Sequence, residues 1–224
     1  RGNLNQNISK AFICLDLNEK VIDEAIKQNV KLIISHHPIF RNDPEKMLSI
    51  DKILIKKINR AKITVLSLHT CFDNSDIGMN FLIGTKLKLK RLKWYPKSQF
   101  VIGDLPSALS IKVIANKFKE CFGVTLVTTN ANSNSQFKQL AICGGAGLSV
   151  FKPMFKELAN KKYLLITGDI NHHGWQDLSR FDISALDVGH DLENCFCDFI
   201  ASLLKKEFDI NCLSINTKKK NHLI

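Results

Sequence analysis

Short β-branched runs alternate with longer amphipathic segments along almost the whole chain. That alternation restricts the fold more than any other feature. β-α-β units joined by short connections close into layered α/β structures with largely parallel strands. Residues 10–16 (KAFICLD), 30–35 (VKLIIS) and 62–68 (KITVLSL) read as buried strands. Helices are expected over 18–28, with Asn18 as N-cap, over 49–60, with Ile50, Ile53, Leu54 and Ile58 on one face, and over 76–85. After the Trp94-Tyr95-Pro96 connection the pattern resumes. Helices are expected over 107–121, 149–160, 171–180 and 191–206, and strands over 124–128, 139–143, 163–167, 183–187 and 210–215. The expectation is two similar α/β lobes with largely parallel sheets, residues 1–98 and 99–224.

Six of the seven histidines fall in three segments: 34–38 (ISHHP), 68–73 (LHTCFD), and 167–173 (TGDINHH) running on to 189–193 (GHDLE). Each segment begins where an expected strand ends. The carboxyl ends of parallel strands share one sheet edge, where ligands bind, so segments distant in sequence can converge there. Imidazole and carboxylate together suit a divalent first-row ion. Neighbouring residues on an extended segment point opposite ways, so His36 and His37 are expected to serve different ions. His190 and Glu193, three apart, share a helical face. Asp73, just beyond a strand, adds a carboxylate.

These segments, with 144–147 (GGAG), 34–40 (ISHHPIF) and 187–193 (DVGHDLE), match in order and spacing the Nif-three-like family, also called GTP cyclohydrolase I type 2 homologues. The resemblance spans about three quarters of the chain. It implies a metal site between the lobes, built by both ends of the chain and holding two divalent ions (Zn, Fe, Mn, Co or Ni), with His36, His37, Asp73, His190 and Glu193 as ligands. It also implies a toroidal homohexamer. Two departures stand out. Cys71-Phe72 replaces the family's Asn-Leu before Asp73, and the short connection between lobes leaves no room for the extra domain of longer relatives.

His69 and His173 are the candidate catalytic side chains. His69 is read as an orienting group or proton donor, and His173 as a general base in a motif that also offers Asp169 beside the metals. Gly144, Gly145 and Gly147 form a loop that can present N–H groups to a phosphate or simply make a tight turn. The function expected is that of a metal-dependent hydrolase acting on a nucleotide or phosphorylated small molecule. The rival reading is a non-catalytic metal-handling protein or interaction platform.

Composition narrows the rest. The net charge is +11, but the lysines are scattered, dense only over 86–93 and 218–220. A specific nucleic-acid role is therefore not expected. No apolar run approaches the ~18 residues of a membrane span. The chain opens Arg-Gly-Asn without a charged-then-apolar stretch, so no secretory leader is expected. Seven irregularly spaced cysteines without a C-x-x-C pair exclude a zinc ribbon and point to a reducing cytoplasm.

Overall fold

The computed structural model describes residues 2–3, 5–39 and 47–215. Phe40, the 218–220 lysines and His222 lie outside them. The chain divides into two compact units, Arg1–Thr70 with Phe196–Ile224, and Cys71–Cys195.

The first unit carries a four-stranded, wholly parallel sheet. Its strands are β1 (Lys10–Cys14), β2 (Leu32–Ser35), β3 (Thr64–Ser67) and β10 (Asn211–Ser214), in the order β10-β1-β2-β3. β1 is an unbroken apolar run past Lys10, as a strand covered on both faces requires. Helices α1 (Glu19–Lys27) and α2 (Ser49–Arg60) join the strands. Asn18 caps α1 as expected, its side chain accepting from the Val21 N–H. Phe12, Cys14, Ile33 and Val65 of the sheet share one buried cluster with Val21, Ile22, Leu54 and Ile58 of the helices. The face expected of α2 is partly wrong. Leu54, Ile55 and Ile58 are buried, whereas Ile50 and Ile53 are about half exposed. α9 (Cys195–Phe208) brings the chain back to β10.

The second unit holds a mixed six-stranded sheet, ordered β4-β5-β7-β8-β9-β6. Its members are β4 (Lys90–Trp94), β5 (Val101–Ser110), β6 (Thr128–Thr129), β7 (Gln136–Ile142), β8 (Tyr163–Thr167) and β9 (Ala185–Asp187). Only β7-β8-β9 run parallel; the other pairings are antiparallel. The helices are α3 (Thr70–Asp73), which begins at the end of the first unit, α4 (Met79–Lys86), α5 (Ile111–Phe122), α6 (Leu148–Phe151), α7 (Phe155–Leu158) and α8 (His172–Arg180). Phe100, Phe151, Leu165, Leu178 and Ala185 centre its core, with Trp175 packed against it.

Several expectations are corrected. The lobes do not divide at residue 98. Residues 94–100 turn an antiparallel hairpin between β4 and β5, and β10 returns to pair with β1. The second sheet is not largely parallel. Residues 107–110 continue β5 and pair with β7 as far as Ser110, which then caps α5. Only Thr128 of the strand expected over 124–128 joins the sheet. The helix expected over 149–160 is interrupted by a 3₁₀ turn, Lys152–Met154, where Pro153 has no N–H to give. The helix expected from 191 opens as a 3₁₀ turn over His190–Asn194.

The basic run over 86–93 has a structural reading. β4 is an edge strand, with Lys90, Arg91 and Lys93 exposed and Leu92 and Trp94 half-buried. Lysines on an exposed edge oppose strand-to-strand association. No helix among the described residues is long and apolar enough to cross a membrane.

Candidate functional site

In the first unit three strands deliver polar side chains to one sheet edge. β1 leads to Asp16, β2 to His36 and His37, and β3 to His69. The ring nitrogens of His36, His37 and His69 that could hold an ion lie within 4.8 Å of one another. The expected opposition of His36 and His37 does not occur, for their ring centroids are 4.9 Å apart. Both stand beyond the last residue of β2, in a bend, where strand alternation no longer applies. His69, expected only beside the metals, is 5.1 Å from His36 and 5.5 Å from His37, centroid to centroid.

Two of these rings are held by their Nδ1 atoms. His36 Nδ1 lies 2.9 Å from the Leu68 carbonyl, which only accepts, so Nδ1 carries the proton and Nε2 is the nitrogen that could hold an ion. His36 is fully buried. His37 Nδ1 lies 2.8 Å from Asp16 Oδ1, with the same consequence for its tautomer. His69 Nδ1 meets the Thr70 hydroxyl at 3.1 Å.

The second unit repeats the arrangement with charged donors. β8 ends at Thr167, and Asp169 follows in the left-handed region, φ 55°. β9 ends at Asp187, and His190 and Glu193 follow in the 3₁₀ turn. Asp169 Oδ2 is 2.5 Å from His190 Nδ1, and His190 Nε2 is 3.1 Å from Glu193 Oε2. Bonds of about 2.0–2.2 Å place neighbouring donors on one ion ~3 Å apart, so this spacing fits a shared cation. Glu193 is almost fully buried. Its hydrogen bond, against the cost of burial and with help from Asp169, raises the His190 pKa to about 9. A proton therefore supplies the positive charge this carboxylate needs when no metal does. Burial pushes the Cys143 thiol up to about 12, and the Asp73 and Glu193 charges add to the effect.

The glycine loop shapes this donor set. Gly145 has φ +56°, and a Cβ there would sit 2.4 Å from Glu193 Oε1. Its carbonyl accepts from Gly168 N and Thr167 Oγ1. Gly144 N–H is given to Asn80 Oδ1 at 2.9 Å. Asn80 is buried and donates to the carbonyls of Gln99 (3.1 Å) and Asp73 (3.4 Å), so one amide ties the Asp73 turn to the glycine loop.

A family model described as Duf34/NIF3 (NGG1p interacting factor 3) matches residues 1–221. The chain belongs to that family. A relative from Ureaplasma parvum named GTP cyclohydrolase 1 type 2 homolog is 32% identical over 212 residues, covering 90% of this chain and 78% of its own. One of the same name from Clostridium perfringens is 30% identical over 199 residues, covering 84% and 74%. Among solved structures, a Bacillus cereus protein related to NIF3 superposes with TM-score 0.84 at 16% identity, over 100% of this chain and 91% of that one. Reduced HcgD from Methanocaldococcus jannaschii gives 0.81 at 22%, over 95% and 85%. At such identities the likeness is one of fold.

Within this NIF3 fold each unit supplies candidate residues of its own. His36, His37 and His69 gather in the first unit, and His190 with Glu193 in the second, with Asp73 at the end of α3. His173 is exposed on α8, its Nδ1 3.3 Å from Gln176 Oε1. Asp16 was not singled out from sequence as a site residue. Its only signal was its place just past β1, on the edge that carries the histidines.

Proposed function

We propose that this NIF3-family chain holds two divalent metal ions through His36, His37, Asp73, His190 and Glu193. In this reading it acts as a metal-dependent hydrolase on a nucleotide or phosphorylated small molecule. The observation that carries the metal reading is the buried Glu193 carboxylate, whose Oε2 lies 3.1 Å from His190 Nε2. Neutral imidazoles and carboxylates suit Zn, Fe, Mn, Co or Ni. When bound, such a pair supplies Lewis acidity that lowers the pKa of a water from ~16 towards ~7. In this reading Glu193, with two carboxylate oxygens, is shared between the ions. Gly145 keeps the space that carboxylate occupies. His173 is the candidate base and His69 an added ligand or proton donor.

The name carried by the relatives makes GTP one member of the substrate panel. Metal-loaded protein should turn over at least one nucleotide or phosphoester where chelated protein does not. Loss of His173 as a general base should then cost ~10²–10⁴ in rate with the metal retained. Inertness across the panel with two ions tightly held would favour the second reading, a non-catalytic metal-handling protein or platform. Two contacts favour that reading: His173 is turned to Gln176, and the Gly144 amide is occupied by Asn80. The proposal includes a toroidal homohexamer. Light scattering should return six chains of 25.3 kDa, and a monomer at micromolar concentration would remove the ring. The seven free thiols suit a reducing cytoplasm.

A further inference from the structure

His36 and His37 are adjacent, yet their Nδ1 atoms are held by partners of different chemistry. His36 faces the Leu68 carbonyl, a neutral main-chain acceptor. His37 faces the Asp16 carboxylate, delivered from a different strand twenty-one residues earlier. An imidazole whose Nδ1–H is given to a carboxylate is a more basic donor at Nε2 than one given to a carbonyl, and it is fixed in one tautomer. Asp16 lies about half open to solvent, so its carboxylate is not there to satisfy a buried core.

We propose that Asp16 is a positioning residue that makes the two ions unequal, its carboxylate strengthening the ion bound through His37 over the ion bound through His36. This deepens the metal reading above and rests on it. Asp16 touches neither ion; it acts through the ring of His37. The His36 partner is main chain and escapes side-chain substitution, so the inequality can be removed from one side only.

The test has two arms. In the first, zinc is titrated into the metal-free full chain against a chromophoric chelator, for the wild type, Asp16→Asn and Asp16→Ala. The wild type should show two unequal binding steps. Asp16→Ala should weaken the tighter step by ~10–100-fold and leave the other within ~3-fold, and Asp16→Asn should fall between them. In the second arm, long-range ¹H–¹⁵N correlation spectra of the metal-free protein report the tautomer of His37. The wild type should be in the Nδ1–H form, and Asp16→Ala should move towards a mixture while His36 keeps its form. A role in packing alone would move neither the tautomer of one ring nor one step of two. Two steps unchanged by both substitutions, or both steps weakened equally, would overturn the proposal. A wild type that binds no zinc would instead remove the metal reading, and the tautomer arm would still judge the contact between Asp16 and His37.

Discussion

The first unit presents three imidazoles and keeps the Asp16 carboxylate behind one of them. The second presents one imidazole and brings the Glu193 carboxylate forward with it. Both sets stand past the carboxyl ends of parallel strands, so the topology is the same and the electrostatics differ. The buried His36 sets its Nδ1 against the neutral Leu68 carbonyl. A buried carboxylate needs a positive partner, and in the metal-free chain that partner is protonated His190. The second set therefore takes up a proton in place of a metal.

Removing one imidazole from each unit is the strongest way to break this contrast. His37→Ala and His190→Ala should both lower metal affinity by ~10²-fold or more, since each deletes a proposed ligand. They should differ in the metal-free chain. His190→Ala leaves Glu193 without its cationic partner and should cost about 1–3 kcal/mol, towards the lower end because a third of the His190 side chain meets solvent. His37→Ala should cost less than ~1 kcal/mol. Urea denaturation of chelator-treated protein measures the difference, and equal losses would erase the contrast.

Asn80 comes next in size. Asn80→Ala strands the Gly144 N–H and two carbonyls, and should cost about 1–3 kcal/mol. It should weaken the second unit's donors more than the first unit's. A variant that lowers affinity through both units alike would show that Asn80 has no special tie to the Asp73 turn.

The proton on His190 gives a smaller, sharper signature. Its pKa is raised to about 9 from an ordinary 6.5. The stabilisation from the charged pair is therefore complete below pH 6.5 and is lost as pH rises through about 9. Metal binding at pH 7.5 should displace about one proton per chain from this residue, and none well above pH 9. Calorimetry in buffers of different ionisation enthalpy reads this directly. Proton release that His190→Ala leaves unchanged would contradict the assignment. Smallest of all should be the effect of His173→Ala on occupancy, within ~2-fold by elemental analysis. Stripping of the metals would place His173 among the ligands.

Much of this was legible in the sequence because β2 and β3 of the first unit are apolar runs that lead to histidines. Continuous apolar runs and period-3.6 patterns located β1, β2, β8, α2 and α8 closely. The β4–β5 hairpin was missed because its first strand is an edge strand in which Lys90, Arg91 and Lys93 outnumber the inward Leu92 and Trp94. The return of β10 to β1 was invisible, since four residues of mixed character carry no register. Within the site, residue types marked candidate ligands, but pairing did not follow. Nothing local to Asp16 says that it meets His37, and nothing local to Asp169 says that it meets His190. The bend after Ser35, which turns His36 and His37 together, depends on main-chain bonds from His36 to Cys14 and from His37 to Leu15.

The central claim is the proposal that Glu193 is shared between two ions. Equilibrium dialysis against limiting zinc, followed by elemental analysis of wild type and Glu193→Gln, tests it most directly. The account predicts close to two ions per chain for the wild type and loss of both in the variant, because a neutral amide cannot bridge two cations. Retention of full occupancy by Glu193→Gln, or loss of one ion alone, would contradict it.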